Sequence, residues 1–301
     1  MLAILLAGAA AAVFAAGTSL QHRAAHHASR VAVSATGLLP RLLRRPSWLL
    51  GIALSGVAFI LHVAALRHGA LTLVQPIVVS TIVFAVFVRA ALDRRLPDRK
   101  EVTWALCTWA GLALFIASLE GRFPRHRADD RIEAFFVLTG VTVTVLAVVW
   151  AHQTHRAGRR GLLLGMAAGV LFGLTAGLIK VVLVQAERGL LFTVQHWSLW
   201  VMVAAGVNAL LLSQRAYHAA RLSVVMPILN IVDVLVAISF GALVFGEPLF
   251  STPGRLLAEA AGLILMGVGV WQLAREEEVI ASSEHRPPTP ATVRAKPSKH
   301  A

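Results

Sequence analysis

Two stretches of the chain carry nearly the same pattern around a proline: residues 71–85 read LTLVQPIVVSTIVFA and residues 222–236 read LSVVMPILNIVDVLV. Both are strongly apolar, and each holds its proline, Pro76 or Pro227, near its start. Proline lacks a backbone N–H and costs about 3 kcal/mol or more in a helix interior, but it is tolerated in the first turn. We therefore expect two apolar helices in which the proline helps to set the start.

The similarity extends beyond these helices when Pro76 is aligned with Pro227. Without a gap, Pro97 falls on Pro248, and the tripeptide at 110–112, Ala-Gly-Leu, falls on the same tripeptide at 261–263. Hydrophobicity alone does not explain two matched prolines and a matched glycine. The alignment indicates that the chain consists of two related halves.

The composition is that of a membrane protein. Of the 301 residues, 57% are hydrophobic and 14% are charged, whereas soluble domains carry roughly 25% charged residues. The net charge of +13 resides in short segments between apolar runs, which is typical of cytoplasmic loops and does not favour nucleic-acid binding. The single cysteine, Cys107, lies within an apolar run, so we expect a small buried hydrophobe there.

Nine apolar segments are long enough to cross a bilayer, because about 20 helical residues span a ~30 Å hydrocarbon core. We predict an all-α, polytopic fold with spans one to five in residues 1–151 and spans six to nine in residues 152–274. Residues 275–301 are rich in charge and proline, and we expect a disordered tail. The predicted spans are 2–20, 47–66, 70–92, 102–119, 133–151, 162–185, 197–214, 222–245 and 254–273.

Spans one to four would correspond to spans six to nine, so an odd number of crossings separates each helix from its counterpart. The two halves would then cross the membrane in opposite senses. Inverted repeats of this kind are typical of secondary transporters, whose substrate site lies near the bilayer midplane where the repeats meet. The alternative is that two proline-led helices arose without functional meaning.

The positive charges predict the orientation. If the N-terminus faces outside, 20 of the 28 lysines and arginines fall on the inner side and seven on the outer side, with Lys180 inside a span. Cytoplasmic loops carry the excess of such residues. We therefore expect a multi-pass protein of the cytoplasmic membrane with its N-terminus outside and its C-terminal tail in the cytoplasm.

Two stretches resemble the drug/metabolite transporter (DMT) superfamily and its EamA-like members: LTLVQPIVVSTIVFAVFVRAALDRRL and SQRAYHAARLSVVMPILNIVDVLVAISFGALVFGEP. The superfamily's Glu-Pro pair after the proline-containing helix is present as Glu247-Pro248, whereas the first half has Leu96-Pro97. Nine spans, a Q-x-x-Y pattern at 214–217 and V-x-P-I at 225–228 are most similar to the NIPA-type branch, which is associated with magnesium transport. The resemblance covers residues 2–273.

This resemblance implies alternating-access transport of a small solute or cation. Span two contains no carboxylate, although a divalent cation is best held by several hard oxygens. The substrate therefore stays open between magnesium, a small metabolite and a drug-like cationic compound. A non-transporting membrane scaffold is the alternative from another class of protein, and the sequence leaves a homodimer open.

Asp233 is the only carboxylate at the centre of a predicted span. A charge at this depth is expensive, so by default it indicates a functional site. Asn230 lies three residues earlier, on the same face of the helix. Together the two side chains offer oxygen ligands for a metal cation, or a protonatable carboxylate beside an amide, and a structural carboxylate satisfied by a neighbouring helix is the alternative.

Lys180 lies five residues before the end of predicted span six. It could extend to the headgroups, pair with Asp233 across a depth difference of roughly 10 Å, or contact an anionic substrate. Four glycines at 165, 169, 173 and 177 share one face of this span, which favours close helix packing over a ligand groove.

Uncharged polar residues complete the candidate substrate site. Gln75 and Ser80 lie on span three and Asn208 lies on span seven, and such groups line cavities or link helices. The sequence contains no nucleophile–base–acid set, glycine-rich phosphate loop or Walker motif, so we expect neither an enzyme nor a bound cofactor.

Overall fold

The computed structural model describes residues 1–29, 44–119, 129–247 and 253–284, and these are almost entirely helical. Nine of their helices are long and apolar enough to cross a membrane, and they coincide with the nine predicted spans to within a few residues. The helices are α1 (Leu2–Ser29), α2 (Pro46–His68), α3 (Leu71–Leu92), α4 (Arg99–Ser118), α5 (Asp130–Gln153), α6 (Ala157–Ala186), the short α7 (Leu190–Gln195), α8 (Trp197–Ala219), α9 (Leu222–Phe245) and α10 (Pro253–Glu284).

Two helices are longer than the sequence predicted. Helix α1 continues through Ser29, well beyond the end of the first predicted span. Helix α10 continues through Glu284, into the segment that was expected to be disordered. Both extensions are rich in alanine or glutamate, which favour helix, and neither contains proline or glycine. Residues 30–43 and 285–301 lie outside the described part of the chain.

The two prolines lie inside their helices. Pro76 and Pro227 are each the sixth residue, because α3 begins at Leu71 and α9 at Leu222. This position near the start of each helix is the one that the sequence predicts. Each proline lacks the N–H that would bond to the carbonyl four residues earlier, at Thr72 or Ser223.

Helices α6 and α9 run parallel in close contact along the glycine face of α6. A Cβ on Gly169 would lie 2.6 Å from the carbonyl oxygen of Leu229, and a Cβ on Gly173 would lie 2.7 Å from that of Asp233. One turn further on, a Cβ on Gly177 would meet the ring of Phe240. The packing interpretation of these glycines is thus confirmed.

Helices α4 and α10 cross at a reciprocal pair of glycines. A Cβ on Gly111 would lie 2.7 Å from the carbonyl oxygen of Gly262, and a Cβ on Gly262 would lie 2.8 Å from that of Gly111. The next contacts are also matched, since Gly111 faces the backbone N of Met266 and Gly262 faces that of Phe115. Small residues at such crossings allow the backbones to approach closely.

The bundle is built from a few closely packed pairs of helices. Helix α1 packs on α2 and α3, while α6 packs on α8 and α9. Helix α4 packs on α10, and α3 packs on α9. Helix α5 lies mainly against α6.

Gly111→Ala and Gly262→Ala should each destabilise the folded protein. The added methyl group would lie 2.5–2.8 Å from backbone atoms of the opposite helix, and overpacking of this kind typically costs about 1–3 kcal/mol. The measurement is thermal unfolding in detergent. Gly56→Ala is the matched control, because a Cβ at Gly56 meets nothing within 4 Å and alanine favours helix; equal effects at all three positions would contradict the crossing.

Candidate functional site

The Glu247 carboxylate joins three helices. Its Oε1 accepts the backbone N–H of Leu71 at 2.9 Å, and its Oε2 accepts that of Thr72 at 2.9 Å. These amides are at the start of α3 and have no partner within their own helix. The Lys180 ammonium, on α6, also donates to Oε1. One buried carboxylate thus binds the start of α3, the end of α9 and the last third of α6, and we call this the Glu247 clamp.

A tight turn after α9 positions the carboxylate. Gly246 adopts a left-handed backbone conformation with φ 61°, and the Glu247 N–H then bonds back to the Gly241 carbonyl at 3.1 Å. Gly241 must be small, because a Cβ there would collide with the carboxylate. Glycine adopts the left-handed conformation of Gly246 at no steric cost, and it commonly ends helices in this way.

Lys180 belongs to the Glu247 clamp, which corrects two of its predicted roles. Its side chain is 16% exposed, and its ammonium lies over the Phe245 ring at 4.8 Å from the centroid. It is therefore paired inside the protein instead of extending to the headgroups. It does not pair with Asp233, because Asp233 packs at Gly173, seven residues earlier on α6 and about 10 Å deeper.

Asp233 lies halfway along α9 without a hydrogen-bond partner for one of its oxygens. Its Oδ1 is buried and unbonded within the described part of the chain. The Asn230 amide nitrogen, one turn earlier, donates to the Met226 carbonyl at 2.8 Å. A carboxylate oxygen with nothing to accept from is the feature of this region that points to a bound group.

The other predicted site residues separate into two groups. Gln75 and Ser80 are buried on α3, which packs against both α6 and α9. Asn208 lies on an exposed face of α8 and donates to the Ala204 carbonyl at 2.8 Å. The bundle therefore brings α3, α6 and α9 together, and Asn208 lies away from the buried groups.

A second polar network, which the sequence analysis missed, lies at the same end of α6. Glu133 on α5 accepts the Ser198 hydroxyl proton, and His196 and Gln185 join the same cluster at 2.9 Å from each other. Glutamate in the first turn of a helix is common because it complements the helix dipole, so Glu133 looked like an ordinary surface residue. The pairing depends on contacts between α5, α6 and α8, which sequence does not reveal.

The opposite side of the bundle has a more local ion pair. Arg95 makes a two-point contact with Glu101 at 2.8 and 3.0 Å, and the bond to Glu101 raises the pKa of Arg95. Glu101 also accepts the Asp98 N–H at 2.7 Å, which completes a capping box at the start of α4. This pair stabilises one helix start and does not join the two halves.

Comparison with known proteins gives a relative along nearly the whole chain. The sequence is 26% identical over 286 residues to an uncharacterized protein of Corynebacterium glutamicum, a match that covers 94% of this chain and 98% of that protein. No family model matches the sequence. No solved structure matches it either.

Removing one partner of the Glu247 clamp should destabilise the protein strongly. Glu247→Ala and Lys180→Met should each cost about 3–5 kcal/mol, because the remaining charge is left buried and unpaired. The double variant should lose less than the sum of the two single losses. The measurement is a double-mutant cycle of unfolding free energies in detergent.

Lys100→Met is the control for this cycle. Lys100 is 74% exposed and lies 3.8 Å from Glu276, and exposed pairs of this kind are worth less than about 1 kcal/mol. Strictly additive losses for Glu247→Ala and Lys180→Met would contradict the clamp.

Proposed function

We propose that this multi-pass membrane protein is a secondary transporter that moves a small solute or cation by alternating access. The observation that carries the proposal is Asp233, a carboxylate in the middle of an apolar helix with a buried, unbonded oxygen. Ionisable groups at this depth pair with other groups or mark a substrate or ion pathway. Because Lys180 is bound to Glu247, Asp233 is available for a ligand.

The proposal includes an inverted two-half architecture, as in the DMT superfamily, and two contacts support it. Gly111 and Gly262 align in the repeat, and they contact each other reciprocally where α4 crosses α10. Reciprocal contact of equivalent residues is the mark of a two-fold axis. The start of α3 meets the end of its counterpart α9 through Glu247, as expected if the counterparts run in opposite directions.

The Glu247 clamp makes the two sides of the proposed transporter different. Its counterpart in the first half is Leu96, which is 88% exposed and has no carboxylate to bind the start of α9. The side of the bundle at Glu247 is therefore joined by a buried ion pair, whereas Leu96 provides no charge for such a pair on the Arg95 side. In this proposal the structure is closed at Glu247, and transport requires the clamp to open.

The substrate is a small cation or cationic metabolite, because the unbonded group in the pathway is a carboxylate. Magnesium is one candidate: Asp233 would hold it with the Asn230 oxygen and retained waters, since Mg²⁺ keeps much of its hydration. Export of an organic metabolite uses the same carboxylate as a counter-charge. A membrane scaffold would need no carboxylate at this depth.

Asp233→Asn should abolish flux in liposomes and leave the amount of folded protein unchanged. Asparagine fills the same space but provides no negative charge for a cation. The measurement is uptake of a panel of solutes that includes Mg²⁺, organic cations and neutral metabolites. Asp93→Asn is the matched control, because Asp93 is an exposed residue at the end of α3; full flux in Asp233→Asn would disprove the role of Asp233.

We expect the N-terminus and the Glu247 side to face outside and the C-terminal tail to face the cytoplasm. The excess of basic residues in the segments on the Arg95 side is the reason. Reporter fusions after Ala301 and within residues 120–131 measure the two sides separately. A reporter within 120–131 that is active in the cytoplasm would overturn the orientation.

A further inference from the structure

The second polar network forms a closed cluster at the Glu247 side of the bundle. Its four members are Glu133 on α5, Gln185 near the end of α6, His196 before α8 and Ser198 in the first turn of α8. Glu133 and Ser198 are 0% exposed and Gln185 is 6% exposed. We call this cluster the Glu133 network.

The Gln185 amide, the Ser198 N–H and the Ser198 hydroxyl all donate within the Glu133 network, and His196 Nδ1 also lies 2.9 Å from the Ser198 hydroxyl. The Gln185 amide nitrogen lies 2.9 Å from His196 Nδ1 and 3.4 Å from the Ser198 hydroxyl. The Ser198 backbone N–H also points to His196 Nδ1, at 3.4 Å, so this ring nitrogen is an acceptor. The single Ser198 hydroxyl proton goes to Glu133 Oε1.

Two buried acceptors are left over. Glu133 Oε2 and Gln185 Oε1 have no hydrogen-bond partner within the described residues. An unpaired buried acceptor costs about 1–3 kcal/mol, and more when it is charged. The network thus has two buried acceptors that no donor of the described residues reaches. A ligand that satisfies it must supply positive charge or a donor.

Among the described residues, no neighbouring base fills this role. Helix α5 packs on α6 and α9. On α6, Lys180 is bound to Glu247, and Glu187 and Arg188 are exposed. On α9, the ionisable group is Asp233, and on α5 itself Asp130 and Arg131 are exposed. His196 turns its Nδ1 lone pair toward Gln185 and Ser198.

We propose that Glu133 binds a proton at Oε2, and that this proton is the coupling ion of the transporter. The proton adds to the carboxylate from hydronium at the Glu247 side, leaving water, and in the coupled cycle it is released to a water molecule on the opposite side, forming hydronium there. The resulting carboxylic acid removes the buried charge, and its O–H adds a donor to a cluster that has unbonded acceptors. The coupling role rests on the proposed transport function, whereas proton binding does not.

The ligand set favours a proton over a metal ion. Metal cations such as Ca²⁺ and Mg²⁺ take about six or more oxygen ligands, and the network has two free acceptors. Among the described residues, no group of three or more His, Cys, Asp or Glu side chains could hold a metal ion. A proton needs one oxygen to carry it and one to accept from it.

The test is an infrared titration of purified protein in the Asp233→Asn background, so that the carbonyl band of a protonated carboxylic acid does not come from Asp233. We expect this band at pH 7, where an ordinary glutamate of pKa about 4.3 is ionised. It should disappear as the pH rises and be absent in Asp233→Asn/Glu133→Gln. Glutamine resembles the protonated acid in shape and supplies both a donor and an acceptor, so this variant should fold.

A second variant separates proton binding from a structural role. The hydrogen bond from Ser198 to Oε1 favours the ionised carboxylate. Because Ser198→Ala removes this bond, the band should persist to higher pH. Three results would each overturn the proposal: an unchanged titration in Ser198→Ala, no Glu133-dependent band at pH 7, or a band whose intensity changes with Na⁺ concentration at fixed pH.

Flux measurements on protein with the native Asp233 test the coupling role. An inward pH gradient should stimulate solute flux, and Glu133→Gln should abolish this stimulation. A normal infrared titration combined with solute flux that does not depend on the pH gradient would overturn coupling but not transport. A normal titration without flux of any solute would support the proton site and count against the transport function.

Discussion

The ion pair of Lys180 with Glu247 is the constraint on which the arrangement of the central helices depends. In a bilayer, backbone and charged groups have no water to bond with, so each must find a partner inside the protein. The Glu247 carboxylate provides that partner for Lys180 and for the first two amides of α3. These groups come from three different helices, and moving any one of them exposes an unpaired charge or an unpaired amide to lipid. The carboxylate thus fixes where α3, α6 and α9 meet.

Close backbone contacts fix the rest of the bundle. Helix association in lipid depends on packing, because lipid tails are as apolar as the side chains. The glycine face of α6 brings α9 within van der Waals contact, and Gly111 and Gly262 do the same for α4 and α10. Several buried polar atoms of the described residues have no hydrogen-bond partner, and they stand out against this packing. Those on Asp233, Glu133 and Gln185 are the ones to which we assign ligands.

The helices could be predicted from sequence because span length and hydrophobicity are local properties. The packing role of the α6 glycines followed from their spacing, and it is confirmed. The site was less predictable. Two carboxylates are within the same sequence region as partners for Lys180: Asp233 on α9 and Glu247 in the turn that follows α9. Sequence did not show that Gly246 would direct Glu247 toward Lys180. The Glu133 network was missed because Glu133 and Ser198 are 65 residues apart along the chain and meet only after α5, α6 and α8 pack.

The central claim is that Asp233 lies in a pathway that opens to each side of the membrane in turn. Because Cys107 is the single cysteine, a Cys107→Ser background allows one cysteine to be placed at Asn230, one turn from Asp233. The most direct measurement is labelling of this cysteine by a membrane-impermeant thiol reagent, added to either side of oriented vesicles. We predict labelling from both sides, with substrate changing the ratio of the two rates. Protection from both sides under all conditions would contradict the account.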